Sequence, residues 1–279
     1  MSNRSVCSYQ LSVISYQLSV ISYQFSVISY QLSVFSYQLS VISYQYLFMK
    51  RFNLLIYFCL CLVAFGSQAQ NRVVSEFDWD EKMKALGLLD VCFWEPSIQC
   101  YLVYATPDNF LKKPLYNKKL TKAWLHPRAA KMLIRAQELL QKEQPGLSLL
   151  IYDAARPMEV QRVMADWAKR MNHANFIADP AKGGGQHNYG MAVDVTLVNS
   201  NGEWLPMGTP FDFIGPEAYT DNEEDLLKRR RITPSEYTNR KLLRQIMEAV
   251  GFAPITTEWW HFNACTRDDA IKKCRLIDR

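Results

Sequence analysis

Histidine is scarce in this chain, four in 279 residues, and no two cysteines stand at C-x-x-C spacing. The second absence excludes a cysteine-built zinc finger or ribbon. The first makes each histidine worth weighing singly. Long apolar runs are also missing. The run at residues 54–65 falls well short of the about 20 residues a helix needs to cross a bilayer. Charge of one sign is not in large excess either, since the net charge is +5. The one dense basic run, residues 228–231, has no aromatic side chains interleaved to stack bases. It reads as a solvated loop before a helix, and nucleic acid is not an expected partner.

Residues 8–44 lack charge altogether and repeat Ser-Tyr-Gln-Leu-Ser-Val-Ile in steps of seven. A seven-residue period suggests a coiled coil, but there are no charges for its e and g positions. An odd period also flips the apolar face of a strand at every copy. Near-identical copies are what translation of a short DNA repeat produces. Residues 1–48 are therefore set aside as having no function, the alternative being an aggregation-prone leader rich in β-formers.

A second start follows. Met49, Lys50 and Arg51 form a basic region, residues 54–65 an apolar one, and Ser67-Gln68-Ala69 place small residues where a signal peptidase reads. This is the three-part pattern of a secretory signal peptide at residues 49–69. It predicts an exported protein of the periplasm or cell envelope, with residues 70–279 as one domain and no stable membrane insertion after cleavage. A membrane-tethered N-terminus is the alternative. Cys92, Cys100, Cys265 and Cys274 remain in that domain. Their even number permits disulfides in an exported chain, with Cys92–Cys100 and Cys265–Cys274 the near pairs.

Residues 101–106 read as a strand. Pro127–Glu143 has apolar residues at helical spacing and is stopped by Pro145-Gly146. Residues 147–152 form a buried strand, and Arg156-Pro157 opens another helix. Residues 172–186 are loop-like and end in three glycines. Residues 191–198 alternate as a strand. Thr233-Pro234-Ser235-Glu236 is a capping box for a helix that Gly251 ends. The last strand spans residues 259–262. Strands and helices mix without a regular βαβ rhythm, so the expected class is α+β, a largely antiparallel central sheet flanked by helices.

His126 precedes Pro127 and reads as an ordinary pre-helix residue, and His173 lies in a polar loop. His187 leaves the glycine loop with Asp194 seven residues on, and Gly190 lets the chain turn back between them. Asp194 shares a strand face with Ala192 and Thr196, whose small side chains leave room for an ion. Glu258-Trp259-Trp260-His261 adds a third ligand and a carboxylate. Zinc catalytic sites use three protein ligands and keep a fourth position open. Strict alternation puts Glu258 and His261 on opposite faces, so the chain must bend there. The bland readings are an Asp bonded to a turn, and an edge strand with packed tryptophans and a surface Glu.

Together, G-x-H-x-x-G-x-A-x-D and E-W-W-H-F resemble the VanX-type D-alanyl-D-alanine dipeptidases. These belong to a wider zinc group with D,D-carboxypeptidases, lysostaphin-type enzymes and hedgehog domains. The resemblance extends to Asp153-Ala154-Ala155-Arg156-Pro157, to residues 207–213, and to Asn239-Arg240-Lys241-Leu242-Leu243 with Gly251-Phe252. The double tryptophan favours the dipeptidase branch. The resemblance implies one Zn2+ per chain on His187, Asp194 and His261, with Glu258 as the general base. It implies Arg156 on the oxyanion and Asp212 on the free ammonium of a small dipeptide substrate. Arg156 could instead simply pair with Asp153, and Asp212 could cap a turn after Pro210.

One position departs from the family. Gly185 stands where a Ser is common, so a hydroxyl for the substrate carboxylate is missing. The backbone amides of residues 183–185 are an alternative anion nest. The expected function is hydrolysis of D-alanyl-D-alanine for turnover of wall fragments. The alternatives are a D,D-carboxypeptidase or wall endopeptidase of the same group, and a non-catalytic zinc-bound interaction module.

Overall fold

The computed structural model describes residues 77–279 and nine positions within the repeat. Those nine, among them Leu32, Phe35 and Leu39, are helical and exposed. The expected signal peptide at residues 49–69 lies outside the described residues. The chain divides into two compact units, Met1–Asn71 and Arg72–Arg279, and the second carries everything below. Among the described residues no helix is long and apolar enough to cross a membrane.

The second unit opens with α1 (Trp79–Ala85), β1 (Leu89–Asp90), α2 (Val91–Trp94) and β2 (Gln99–Cys100). There follow β3 (Trp124–Leu125), α3 (Pro127–Glu143), β4 (Leu147–Asp153), α4 (Met158–Arg170) and β5 (Ala192–Asn199). It ends with α5 (Glu223–Lys228), α6 (Pro234–Ala249), β6 (Ala253–Pro254), β7 (His261–Asn263) and α7 (Arg267–Lys273). The main sheet has the order β2-β4-β5-β7-β6. Only β2–β4 is parallel, and β4–β5, β5–β7 and β7–β6 are antiparallel. β1 and β3 form a separate antiparallel pair. The α+β class with a largely antiparallel sheet is therefore correct, the parallel edge making the sheet mixed.

α3 has the bounds its sequence sets. His126 caps it by accepting from the Arg128 amide, and Pro127 occupies the first turn, where its missing N–H costs nothing. Its stripe of Ala129, Leu133, Ala136 and Leu140 is fully buried. α6 begins with the expected capping box, Thr233 and Glu236 each accepting from the other's amide. α3 packs against α6 and β4, and α6 also against β5. Register places Leu149, Ile151, Val193, Val195, Leu197 and Phe262 on one sheet face. All are buried in the core with Leu133, Leu243 and Met247.

The opposite face carries the chemistry. A register shift between Ile151 and Asp153 turns Asp153 onto it, directly across from Asp194, which itself faces His261. The three lie in one row across β4, β5 and β7. Residues directly opposite on antiparallel strands have neighbouring side chains on the same face.

Two expected strands are corrected. Residues 101–106 form a helical turn at Val103–Ala105, not a strand. Only Tyr101 continues the sheet, donating to Ile151. Beyond it the Tyr104 carbonyl accepts the amides of both Leu115 and Tyr116, which curls the chain inward. The last strand starts at His261. Trp259 and Trp260 lie in the preceding turn, where His261 N meets Glu258 O at 3.4 Å. That turn supplies the bend that alternation required. The four described cysteines are free thiols. Cys92 and Cys100 nevertheless share a side-chain hydrogen bond that draws the Cys92 thiol down.

Candidate active site

The metal-ligand candidates converge. His187 sits in a helical turn, Gln186–Tyr189, that Gly190 ends at φ +65°. A Cβ there would also lie 2.9 Å from the His126 amide, so only glycine fits. The turn carries His187 over the strand row. Its Nε2 lies 3.1 Å from His261 Nδ1 and 3.3 Å from Asp194 Oδ1, and the last two are 3.0 Å apart. Among the described residues this is the one His/Cys/Asp/Glu group compact enough to hold an ion.

The outer hydrogen bonds fix both tautomers. His187 Nδ1 is 2.7 Å from the Ala154 carbonyl, which can only accept, so the proton is on Nδ1. His261 Nε2 is 3.0 Å from Asn263 Oδ1 and donates to it. Each imidazole therefore turns a lone pair towards the other and towards a carboxylate oxygen. Without a cation that arrangement is repulsive. With one, it is the outer-shell orientation metal-binding histidines adopt. Tetrahedral coordination at about 2.0–2.1 Å separates ligand atoms by about 3.3 Å, close to the triangle found. Burial pushes the Asp194 carboxyl up, but positive charge beside it, carried by the His187 and His261 rings when they are protonated, holds it well below the usual range.

Glu258 approaches the triangle, with Oε2 3.9 Å from His261 Nδ1. Burial raises its pKa to about 7, with smaller upward pushes from the Asp194 and Asp212 charges. Arg156 is buried at the row's other end. Its Nε and Nη2 donate to Asp153 Oδ2 at 2.9 and 2.7 Å, and its Nη1 to Gln161 Oε1 at 3.0 Å. Its Nη2 is 3.8 Å from Asp194 Oδ2. Burial opposes its charge, but the Asp153 carboxylate more than restores it. Tyr116 in turn donates to Asp153. The pairing with Asp153 that the sequence offered as the alternative is present, and it holds the guanidinium 3.8 Å from Asp194. Two of the five guanidinium N–H donors remain uncommitted.

Asp212 lies in the loop at residues 206–213 with φ +62°, a left-handed conformation that Asp tolerates better than most residues. Its Oδ1 accepts from Tyr104 at 2.8 Å, while its buried Oδ2 has no partner among the described residues. Burial lifts its pKa to about 7. The double tryptophan holds this loop. Trp259 Nε1 donates to Thr209 Oγ1 at 2.8 Å, and the Trp260 ring lies 5.3 Å from Phe211. Arg240 Nε adds a bond to the Met207 carbonyl. Glu258 and His261 are thereby locked to Asp212.

A cleft of about 270 Å³ joins these groups, reaching Arg156, His187, Asp194, Asp212, Glu258 and His261. All six candidate site residues border it. His126 is the helix cap already described. His173 stacks on Trp167 outside the metal triangle. The anion nest is corrected. Gly183 N donates to Pro180 O, Gly184 N to Asp179 O, and Gly185 N to Asn188 Oδ1, so these amides are committed. Sequence reasoning missed Tyr104 and Gln161. Tyr104 bridges the site, donating to Asp212 while the Arg156 guanidinium lies 5.1 Å from its ring. It sat in a segment read as strand. Gln161 falls on the buried side of α4, where an amide among apolar residues is the signal that marks it.

Comparison with known proteins agrees with this geometry. The family model described as D-ala-D-ala dipeptidase matches residues 84–273. The chain is 31% identical over 175 residues to a D-alanyl-D-alanine dipeptidase of Escherichia coli (strain K12), covering 63% of this chain and 83% of that protein. It is 31% identical over 178 residues to the enzyme of that name from Enterococcus faecium, covering 57% and 82%. One from Streptomyces coelicolor (strain ATCC BAA-471 / A3(2) / M145) is 30% identical over 178 residues, with the same coverage. With a family match across most of the folded unit and a triad fitted for a metal, the chain belongs to the D-ala-D-ala dipeptidase family of peptidases.

Proposed function

We propose that this protein hydrolyses free D-alanyl-D-alanine with one zinc ion held by His187, Asp194 and His261. The names of its relatives support the substrate, and the donor set of two imidazoles and a carboxylate supports zinc. When bound, zinc supplies a Lewis acid that polarises the scissile carbonyl and acidifies water.

The protein's own groups do the rest. Glu258 accepts the proton of the attacking water and returns it to the leaving amine. Burial raises the proton affinity of the Glu258 carboxylate, which favours its taking the water's proton. Arg156, aimed by Asp153 and Gln161, offers its remaining N–H groups to the oxyanion. Asp212 receives the substrate ammonium.

The unpartnered Oδ2 of Asp212 carries this reading. A buried carboxylate oxygen without a donor is costly, and an ammonium with three donors removes the cost. A carboxypeptidase or endopeptidase, whose substrate has an acylated nitrogen, would have no use for it. The test is steady-state hydrolysis of D-Ala-D-Ala beside its N-acetyl analogue. Turnover of the free dipeptide and not of the analogue is expected. Equal turnover means a carboxypeptidase or endopeptidase, and none on any D,D- or L,D-dipeptide by zinc-loaded protein refutes the reading.

Residues 49–69 support export, and the proposal places the enzyme in the periplasm or cell envelope, acting on wall fragments. N-terminal sequencing of exported protein checks this. A start near Gln70 is expected, and an intact repeat would overturn it.

A further inference from the structure

With the ammonium assigned to Asp212, the dipeptide's other charge needs a partner. We propose that Arg267 binds the C-terminal carboxylate, replacing the hydroxyl that Gly185 lacks. The proposal rests on the dipeptidase reading above.

Two guanidinium groups border the cleft, Arg156 and Arg267. Arg156 is buried, tied to Asp153 and aimed at the reaction centre. Arg267 lines the cleft together with Gly185 and Gln186. Its Nε donates to the Gly184 carbonyl at 2.8 Å and its Nη2 to the Lys182 carbonyl. Asp212 also borders an aromatic recess with Phe110, Trp167 and Phe213 that Arg267 does not reach, so the two charges mark different parts of the cleft.

Arg267 is held in place without being neutralised. Its two bonds go to main-chain carbonyls, and among the described residues it has no carboxylate partner. Two of its five N–H donors are used, leaving Nη1 and one hydrogen of Nη2. The competing donors are absent. A Cβ on Gly185 would meet the Ala178 Cβ at 3.1 Å, which discourages a side chain there. The amides of Gly183, Gly184 and Gly185 are committed within the loop. A planar guanidinium with parallel free donors matches a carboxylate in shape and charge. Asp212 and Arg267 then together select a zwitterion with a free ammonium and a free carboxylate.

The experiment compares D-Ala-D-Ala with its C-terminal amide on the zinc-loaded protein, in wild type, Arg267→Gln and Arg267→Lys. Glutamine keeps a donor for the Gly184 carbonyl and removes the charge. The KM for the acid should rise roughly 10- to 100-fold in Arg267→Gln with little change in kcat. Arg267→Lys should fall between. Turnover of the amide should be unaffected in both. If acid and amide suffer alike, Arg267 only props the glycine loop and the proposal fails. If neither changes, it also fails. If the wild type cleaves neither peptide, the dipeptidase reading has failed instead. Arg267 is then tested by calorimetric binding of the acid, and equal affinity in wild type and Arg267→Gln overturns the proposal.

Discussion

The strand row and the loops above it are satisfied to different degrees. On the sheet, Asp153, Asp194 and His261 stand in register, and each has partners within the protein. Above it, Asp212 in its loop leaves a buried oxygen unpaired, and Arg267 at the start of α7 has no carboxylate partner, both among the described residues. Chemistry demands positions fixed before the substrate arrives, and paired strands give them. Selection works differently, since a hydrogen bond left open penalises every ligand that fails to fill it. The largest effects should therefore come from the row and its neighbour Glu258, and the smallest from the loops.

Glu258→Gln should show the largest effect. It removes the base and keeps the shape, so kcat should fall by about 10²–10⁴-fold. Zinc content, measured by elemental analysis of dialysed protein, should stay the same. Loss of zinc with loss of activity would instead make Glu258 a ligand.

Asp153→Asn tests whether the row is as rigid as its bonds suggest. Asparagine removes the carboxylate hydrogen-bonded to buried Arg156 and leaves only Asp194, 3.8 Å away, and breaking such a buried pair typically costs about 3–5 kcal/mol of stability. Thermal denaturation should show a fall in Tm of roughly 6–20 °C for a domain of this size. An unchanged Tm would mean Arg156 is neutralised elsewhere.

Asp212→Asn should act on selection alone. kcat/KM for the free dipeptide should drop roughly 10- to 100-fold, mostly through a higher KM, and the preference for the free dipeptide over its N-acetyl analogue should shrink. The wild-type pH profile carries the same information. Asp212 holds an ammonium only when ionised, and its pKa is about 7. KM should therefore fall as pH rises through about 7, and the variant should lose that dependence. Stability has the opposite sign. A carboxyl with a raised folded-state pKa contributes stability below its unfolded value of about 3.9, and that contribution is lost as pH rises through 7. Asp212→Asn should thus melt higher than wild type at pH 8 while binding substrate worse.

The same division decided what could be read from the sequence. α3 carries a cap, a proline, a 3.6-residue stripe and a stop within its own residues, and its bounds follow. His187, Asp194 and His261 were legible as a metal-ligand group because ligand chemistry restricts residue type, and the fold brings their ligand atoms within 4.8 Å of one another. Tyr104 was not, because its turn is set by the amides of Leu115 and Tyr116, which nothing near Tyr104 announces. The glycine amides were misread for a related reason. Sequence counts donors, but only the fold shows that Asp179, Pro180 and Asn188 had already taken them. Arg267 has no motif around it, and its meaning depends on a hydroxyl absent far away in sequence.

Gly185→Ser should have the smallest effect, and it probes where row and loop meet. Gly185 has φ −113° and ψ −179°, so its backbone accepts any residue. The restriction comes from Ala178, whose Cβ would lie 3.1 Å from the new one. Ala178 is not free to retreat. Its carbonyl accepts from Gln161 Nε2 at 2.8 Å, and Gln161 Oε1 accepts from Arg156 Nη1. Pushing on Ala178 therefore disturbs the aim of Arg156. The serine should lower kcat by a few-fold, about 0.5–1 kcal/mol, with KM nearly unchanged because Arg267 already holds the carboxylate. Adding Ala178→Gly should return kcat to the wild-type value, a coupling that a double-mutant cycle measures directly. A serine that instead lowered KM tenfold at constant kcat would show a carboxylate still short of donors, and Arg267 would lose its role.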